Sequence, residues 1–293
     1  MITDDLVVLY SVPIYTLVIG AEMLYSWKKQ LRLYSTRGVL ANVYLTVLNM
    51  SLDILVRLTC LGILDYFYEH RMVDLSWSPF LYWGVLVLAE DFMYYWLHRV
   101  DHYCRFFWAV HVTHHSSEEF NLTVGFRSSV FQPLYRFVYF IPIALLGYKG
   151  IDIMLAYAIT QIFGILVHTQ AVGKLGPLEY LFVTPSHHRV HHASNIKYLD
   201  KNMGMLLIIW DRLFGTFEEE TENVKYGLTK NLEKPNPVNL VFHEWKGVWR
   251  DATQKGLSLK QRFMYVFGPP GWSHDGRSQT STQLRAALKK SNP

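Results

Sequence analysis

The sequence has little cysteine, no run of like charge and no leader of the secretory type. Its two cysteines, Cys60 and Cys104, form neither a CxxC pair nor a disulfide framework, so no oxidising compartment is required. The formal charge of +4 comes from scattered Lys and Arg residues, without a basic run that could follow a nucleic acid. Asp4 and Asp5 stand where a cleavable signal peptide needs basic residues. Nucleic-acid binding and a disulfide-stapled secreted fold are therefore not expected.

Several catalytic sequence motifs are also missing. No GxSxG, Walker loop or GxGxxG occurs, which leaves serine hydrolysis, phosphoryl transfer and built-in dinucleotide binding without support. His243 and Glu244 begin like the zinc-protease motif HExxH, but Gly247 stands where the second histidine is needed. An oxidoreductase built on this chain would have to take its electrons from an external donor.

Apolar residues make up 51% of the chain and are concentrated before residue 172, which favours a membrane protein over a soluble enzyme. Three segments are each long enough to cross the ~30 Å hydrocarbon layer of a bilayer, namely residues 6–27, 39–64 and 79–97. A further apolar pair, 131–147 and 151–172, predicts a hairpin for which both a full crossing and a partial insertion stay open.

The basic loop 28–37 sets the orientation, because Lys and Arg residues favour the cytoplasmic side of a membrane. Asp53 and Arg57 lie within the second apolar segment at an i, i+4 spacing, so we expect them to pair inside the bundle. The predicted fold class is all-α, a multipass transmembrane helical bundle with a cytoplasmic histidine-rich helical cap. We expect N-terminal transmembrane helices in 1–78, a catalytic domain in 79–217 and a cytoplasmic C-terminal region in 218–293.

Eight of the thirteen histidines are crowded into three groups with helical spacing. A helix brings positions i, i+3 and i+4 onto one face, and neutral imidazole is a common ligand of iron and zinc. Eight imidazoles are too many for one metal ion but suit two ions with about four protein ligands each. The spacing therefore predicts a dinuclear metal site. Its predicted ligands are His98 and His102, then His111, His114 and His115, then His188, His191 and His192.

Two further residues are expected to support this site. His168 lies at the inner end of an apolar helix, where an unpaired buried imidazole is costly, and is predicted to be a ligand or a ligand's partner. Asp91 precedes His98 by seven residues on the same helical stripe, which predicts a hydrogen bond from a ligand imidazole; an ion pair with a nearby Arg is the alternative. We place the remaining histidines outside the site: His70, His187, His243 and His274.

The three groups read HxxxH, HxxHH and a second HxxHH, and in these motifs the chain resembles the fatty acid hydroxylase/sterol desaturase superfamily. Longer strings are similar to its alkylglycerol monooxygenase branch, among them HHSSEEFNL from His114 and IIWDRLFGTF from Ile208. The resemblance extends over residues 80–272. At one position the chain departs from that branch, because Tyr103 follows His102 where the branch carries an acidic residue.

The resemblance implies a membrane enzyme that holds two iron ions and uses O2 to oxidise a lipid C–H bond. For the similar branch it implies hydroxylation at the ether-linked carbon of an alkylglycerol, with an external reductant for which tetrahydrobiopterin is a candidate. C-5 sterol desaturation and fatty acyl hydroxylation stay open as alternatives. A non-enzymatic metal transporter is an alternative of another class, although transport favours ligands inside the crossing helices. Purified protein can carry zinc in place of iron, since imidazole binds zinc more tightly than Fe(II).

Overall fold

The computed structural model describes residues 2–291, with side chains described from residue 11 onward. Over these residues the regular structure is helical, with two isolated β-bridges and no named strand. The prediction of an all-α fold is confirmed. Three residues lie outside the described part of the chain: Met1, in the predicted region 1–78, and Asn292 and Pro293, in the predicted region 218–293. In the predicted apolar segment 6–27, residues 6–10 are described as helical backbone only.

Three long helices come first: α1 (Ile2–Lys29), α2 (Thr36–Glu69) and α3 (Pro79–Tyr103). Helix α2 begins at Ser35, whose hydroxyl accepts a backbone N–H of the first turn at 3.0 Å. Helix α3 begins with a proline, whose missing N–H would have no partner in the first turn. Because α3 continues past the predicted membrane segment 79–97, it also carries the first two histidines of the predicted site.

Helix α2 presents apolar side chains outward. Its large exposed apolar residues include Val43, Val47, Ile54, Leu55 and Leu58. Within the described part of the chain, α2 is the one helix long and apolar enough to cross a membrane. Contiguous exposed apolar surface of this kind marks contact with a membrane or a partner. The predicted pair of Asp53 and Arg57 is confirmed at 3.0 Å, and Arg136 also pairs with Asp53.

The second apolar region is broken into short helices. Two 3-10 helices (Gln132–Leu134 and Arg136–Phe140) and α5 (Ile141–Leu145) precede α6 (Gly150–Leu166). At 1.5 Å per residue the 17 residues of α6 span about 25 Å, less than the ~30 Å hydrocarbon layer. The turn between α5 and α6 packs on α2 and α3 through Leu64, Leu86, Ile143, Tyr148 and Ile153, all buried. This packing holds α6 against the first three helices.

The remaining helices form a cap around the histidines. They are α4 (Arg105–His115), α7 (Pro185–His191), α8 (Ile209–Phe214), α9 (Pro237–Ala252), α10 (Leu259–Phe267) and α11 (Ser281–Ser291). Helix α9 is fixed to α4, because the buried Arg105 guanidinium donates to Glu244 at 2.7 Å and to Asp251 at 2.8 Å. The Thr113 hydroxyl adds a bond to the Leu240 carbonyl at 3.1 Å. These contacts fix α4, the helix that carries His111, His114 and His115.

Candidate metal centre

The structure brings all nine predicted histidines together in two groups. Each residue offers one nitrogen, and within each group these nitrogens lie within 4.8 Å of one another. The first, which we call the five-histidine group, contains His98, His102, His111, His115 and His191. The second, the four-histidine group, contains His114, His168, His188 and His192. The HxxHH motif on α4 therefore contributes to both groups, since His114 joins the four-histidine group while His111 and His115 join the five-histidine group.

Short connections between helices produce this convergence. Cys104 has an extended backbone between α3 and α4, and the turn there brings the Nε2 atom of His111 within 3.1 Å of the Nε2 atom of His98. Helix α7 begins at Thr184, whose backbone N–H donates to His187 Nδ1 at 3.3 Å. That capping contact directs His187 away from the groups, as the sequence predicts. His70, His243 and His274 also lie outside both groups.

Four of the nine rings are oriented by a backbone carbonyl oxygen at Nδ1. The acceptors are the carbonyl of Met203 for His98 (2.8 Å), of Arg127 for His114 (3.0 Å), of Gly164 for His168 (2.7 Å) and of Lys201 for His191 (3.0 Å). A carbonyl oxygen can only accept, so Nδ1 of each ring carries the proton and Nε2 carries the lone pair. The lone pairs of these imidazoles therefore point into the groups.

The contacts inside each group join one Nε2 atom to another. They are His98 to His111 at 3.1 Å, His111 to His115 at 3.2 Å, His168 to His192 at 3.1 Å, His168 to His188 at 2.9 Å and His168 to His114 at 3.3 Å. The Nε2 atoms of His102 and His191 are buried without a hydrogen-bond partner in the described residues. Facing lone pairs at this distance repel each other unless a cation lies between them. Nitrogen ligands about 2.1 Å from a common ion stand about 3 to 4 Å apart, so the donor set fits one ion in each group.

Burial favours the neutral form of several of these imidazoles. It lowers the pKa of His111, His115, His188, His191 and His192 well below the usual value, and the neighbouring histidines lower it further. Burial also lowers the pKa of His114 to about 4. The neutral form, which these pKa values favour at neutral pH, is the form that binds metals.

The predicted role of Asp91 is corrected by its contacts. Its carboxylate accepts the backbone N–H groups of Leu206 and Leu207 at 2.8 and 3.1 Å and the Trp210 indole N–H at 2.8 Å. Asp91 does lie on the same face of α3 as His98, but the segment between α7 and α8 and the start of α8 supply the hydrogen-bond donors that contact its carboxylate. Asp91 therefore anchors that returning segment rather than a histidine ring.

Two other carboxylates lie beside the rings. Asp200 Oδ1 is 3.2 Å from Nδ1 of His102, and Asp101 Oδ2 is 3.7 Å from Nδ1 of His111. Asp101 is fully buried and directly precedes His102 in the sequence, a position that could have indicated it. Asp200 is 98 residues from its histidine, and no local spacing indicates such a partner. Together with the Lys201 and Met203 carbonyls, Asp200 makes residues 200–203 the support of three rings in the five-histidine group.

Two cavities reach the histidines from different sides. The inner cavity, ≈ 290 Å³, lies among α1, α2, α3 and α6 and has mostly apolar walls. Among its lining residues are Tyr15, Met50, Phe126, Met154 and Ile162, and it contacts His98, His111, His114, His168 and His188. The inner cavity therefore touches both groups from the side of the long helices.

The outer cavity, ≈ 430 Å³, lies on the side of the cap. It contacts only the five-histidine group, through His102, His115 and His191. Its other lining residues are largely polar or aromatic, including Arg105, Trp108, Asp200, Glu244, Asp251 and Trp272, with Ser281 and Leu284 from α11. A polar molecule could approach the five-histidine group here without passing through the apolar inner cavity.

The helices and the two groups define an all-helical protein with a buried, histidine-rich candidate metal centre beside an apolar cavity. Residues 83–216 match the model of the fatty acid hydroxylase family. The matched residues contain all nine histidines of the two groups.

Individual relatives agree with the family. The chain is 40% identical over 214 residues to alkylglycerol monooxygenase from Homo sapiens, which covers 71% of this chain and 46% of the relative. It is 37% identical over 209 residues to alkylglycerol monooxygenase from Xenopus tropicalis, covering 70% of this chain and 45% of the relative. It is 32% identical over 152 residues to ornithine lipid hydroxylase from Rhizobium tropici, covering 51% and 46%. The chain thus spans about half the length of the curated relatives it matches. No solved structure matches it.

Proposed function

We propose that the chain is an O2-dependent lipid monooxygenase with two iron ions, one held by each histidine group. The observation that carries the proposal is the inward direction of the Nε2 lone pairs at the end of an apolar cavity. Iron with open coordination positions supplies the activation of O2 that oxidation of an unactivated C–H bond requires. The carbonyl acceptors at Nδ1 keep the rings in the tautomer that binds metal. The apolar walls of the inner cavity hold a lipid chain and exclude water.

The proposed substrate is an ether lipid of the alkylglycerol type. Two relatives named alkylglycerol monooxygenase, at 40% and 37% identity, support this choice over sterols and acyl chains. Insertion of one oxygen atom of O2 into the C–H bond beside the ether oxygen gives a hemiacetal, which breaks down to an aldehyde and glycerol. The second oxygen atom leaves as water after taking up two electrons and two protons. An external donor must supply these electrons, and tetrahydrobiopterin is our first candidate for it.

We place the donor in the outer cavity. The inner cavity is needed for the lipid, and the outer cavity reaches His102, His115 and His191 from the opposite, polar side. Separate approaches would let the lipid and the donor be present together.

We also propose that the protein is a multipass membrane protein with the histidines on the cytoplasmic side. Exposed apolar side chains support this on α1 (Val12, Leu17), on α2 (Leu55) and on α3 (Phe80, Leu88). The proposed division is transmembrane helices in 1–78, the catalytic domain in 79–217 and a cytoplasmic region in 218–293. Reporter fusions to loop 28–37 and to residue 293 should report the same side; opposite sides would reject this topology.

Turnover by the purified protein tests the function. Iron-loaded protein in detergent or nanodiscs should release the aldehyde from an alkylglycerol under O2 when tetrahydrobiopterin is present, with oxygen from ¹⁸O2 in the initial product. A sterol and a fatty acyl lipid should give little product. The His70→Ala variant is the matched control, because His70 lies outside both groups and lines neither cavity, and it should retain turnover. Turnover of the sterol or acyl lipid instead of the alkylglycerol would reject the proposed substrate.

A further inference from the structure

Two helices of the cap, α9 and α10, each expose a stripe of large apolar side chains. The stripe on α9 has spacings of four and seven residues, which place its members on one helical face: Val238, Phe242 and Trp249. The stripe on α10 has spacings of four residues: Leu259, Phe263 and Phe267. Trp249 is 74% exposed and Leu259 is 86% exposed, so both stripes face outward. Exposed apolar surface of this kind marks a binding surface.

Ring contacts connect the two stripes. Phe267 of α10 stacks on Phe106 of α4 with 5.8 Å between ring centroids, and Phe106 contacts Trp245 of α9 at 5.1 Å. Phe131 contacts Trp245 at 6.4 Å and Phe242 at 5.8 Å. The connected rings therefore run from α10 across α9 to Phe131, the first residue of the apolar segment 131–147.

Helix α9 lies beside the first turns of α2. Its inner face buries Leu240 and Val241 against Leu45, and Ala41 and Leu48 pack around them. These three residues of α2 belong to the apolar segment 39–64 that we propose to cross the membrane. At the same level α2 exposes further apolar side chains: Leu40, Val43 and Val47. The stripe on α9 thus continues the proposed membrane-facing surface of α2, at the end of α2 that follows the basic loop 28–37.

Basic side chains border the apolar stripes. Lys246 and Arg250 lie four residues apart at the edge of the exposed face of α9. The Arg250 side chain is 77% exposed, although it also contacts Asp251 at 3.0 Å. Lys255, before α10, and Lys260, in its first turn, are exposed as well. An aromatic apolar face bordered by Lys and Arg is typical of helices that lie in the plane of a membrane surface, where cationic side chains attract anionic lipids.

We propose that α9 and α10 form an interfacial membrane anchor of the cap. Their apolar stripes insert at the boundary between headgroups and acyl chains of the cytoplasmic leaflet, and their basic side chains bind anionic phospholipid headgroups. This inference rests on the proposed membrane topology. A second copy of the chain is the other occupant that such stripes allow, but the basic border and the continuity with α2 favour a lipid surface. Because Arg105 ties α9 to α4, the anchor also fixes the depth of α4 relative to the bilayer.

Fluorescence quenching in lipid nanodiscs tests the anchor. A background with Cys60→Ala and Cys104→Ala allows a single new cysteine to carry a bimane label, introduced as Trp249→Cys or as Phe263→Cys in separate proteins. Each nanodisc holds one chain, so that a second copy cannot cover the stripes. Phospholipids with a nitroxide just below the headgroup should quench both labels at least about 2-fold, and iodide in the water should quench them little.

Ala287→Cys provides the matched control. Ala287 is exposed on α11, which packs on residues 196–198 of the cap. Its label should be quenched by iodide and little by the lipid nitroxide. The charge of the lipid is tested at position 249: phosphatidylserine bilayers should give stronger lipid quenching than phosphatidylcholine bilayers. Adding Lys246→Gln and Lys260→Gln should remove this difference.

Quenching of both labels by iodide but not by lipid would overturn the proposal, because the stripes would then face water. Protection of both labels from both quenchers would also overturn it. An equal response to the two bilayers would overturn the assignment to anionic lipid. Failure of the proposed function would look different: iron-loaded protein would not oxidise the alkylglycerol, or reporter fusions to loop 28–37 and residue 293 would report opposite sides, while lipid would still quench both labels.

Discussion

The five-histidine and four-histidine groups share α4 and the same kind of ligand, yet they differ in ligand number and in access. An octahedral ion has six coordination positions, so one position would stay open in the five-histidine group and two in the four-histidine group. Both cavities reach the five-histidine group, whereas the inner cavity alone reaches the four-histidine group. If each group holds one ion as proposed, the ion in the five-histidine group has more ligands and lies beside the polar opening, whereas the ion in the four-histidine group has fewer ligands and faces the inner cavity alone.

Removing a ligand from the smaller group should have the largest effect. In His188→Ala, the four-histidine group loses a ring whose Nε2 atom is 2.9 Å from that of His168, and three ligands should not retain the ion during purification. We expect metal content to fall from two ions to one per chain and turnover to fall by roughly 100-fold or more. Elemental analysis by mass spectrometry measures the metal content. A variant with two tightly bound ions and full activity would contradict the two-ion assignment.

Replacing one histidine by alanine in the five-histidine group should reduce the metal content less. His191→Ala leaves four imidazoles in the five-histidine group, the number that its neighbour has, so we expect two ions per chain to be retained. The ion should be released to a chelator roughly 10-fold faster than in wild type. Stopped-flow measurement with a coloured chelator gives this rate. Equal metal loss in His188→Ala and His191→Ala would remove the proposed difference between the groups.

Asp200 should affect one group selectively. Asp200→Ala removes the carboxylate 3.2 Å from Nδ1 of His102 without removing a ligand. Metal affinity of the five-histidine group should fall by roughly 10-fold, with the affinity of the other group unchanged. Competition titrations that resolve two binding steps can measure this. A loss of equal size at both steps would show a general structural defect instead.

Asp91 should have the smallest effect on the metals, although it is buried. Asp91→Ala leaves two backbone N–H groups and the Trp210 indole without their acceptor, so the free energy of unfolding should fall by about 2 to 3 kcal/mol. The folded fraction should still bind two ions per chain. Thermal unfolding combined with metal analysis separates the two quantities, and loss of metal from folded protein would restore the role first predicted for Asp91.

The sequence was sufficient to predict which histidines converge, because helical spacing is local and nine imidazoles fit no single ion. The sequence could not predict how the nine histidines divide between the two groups. His114 and His115 are adjacent on α4 but belong to different groups, and only the long-range placement of His168 and α7 decides this. The Asp53–Arg57 pair was predictable for the same local reason.

The supports of the rings were much less predictable. Carbonyl acceptors such as that of Met203 leave no mark in side-chain identity, since every residue carries one. Asp91 was predicted to orient a ring because its own helix places it correctly, but donors from a distant segment compete for it. Local periodicity thus identified the histidines that converge and failed for partners that the tertiary fold supplies.

Residues 200–203 have a consequence for how the protein acquires its metals. Asp200 and Asn202 adopt left-handed backbone conformations, and the Asn202 side chain bonds to the carbonyls of His187 and Glu218 at 3.1 and 2.9 Å. This rigid turn aims three imidazoles through contacts that contain no metal. The entropy of ordering those rings is therefore lost during folding rather than during metal uptake. The folded chain should therefore exchange one metal ion for another without refolding. The identity of the bound metal should then depend on which metal ions are available in the cell.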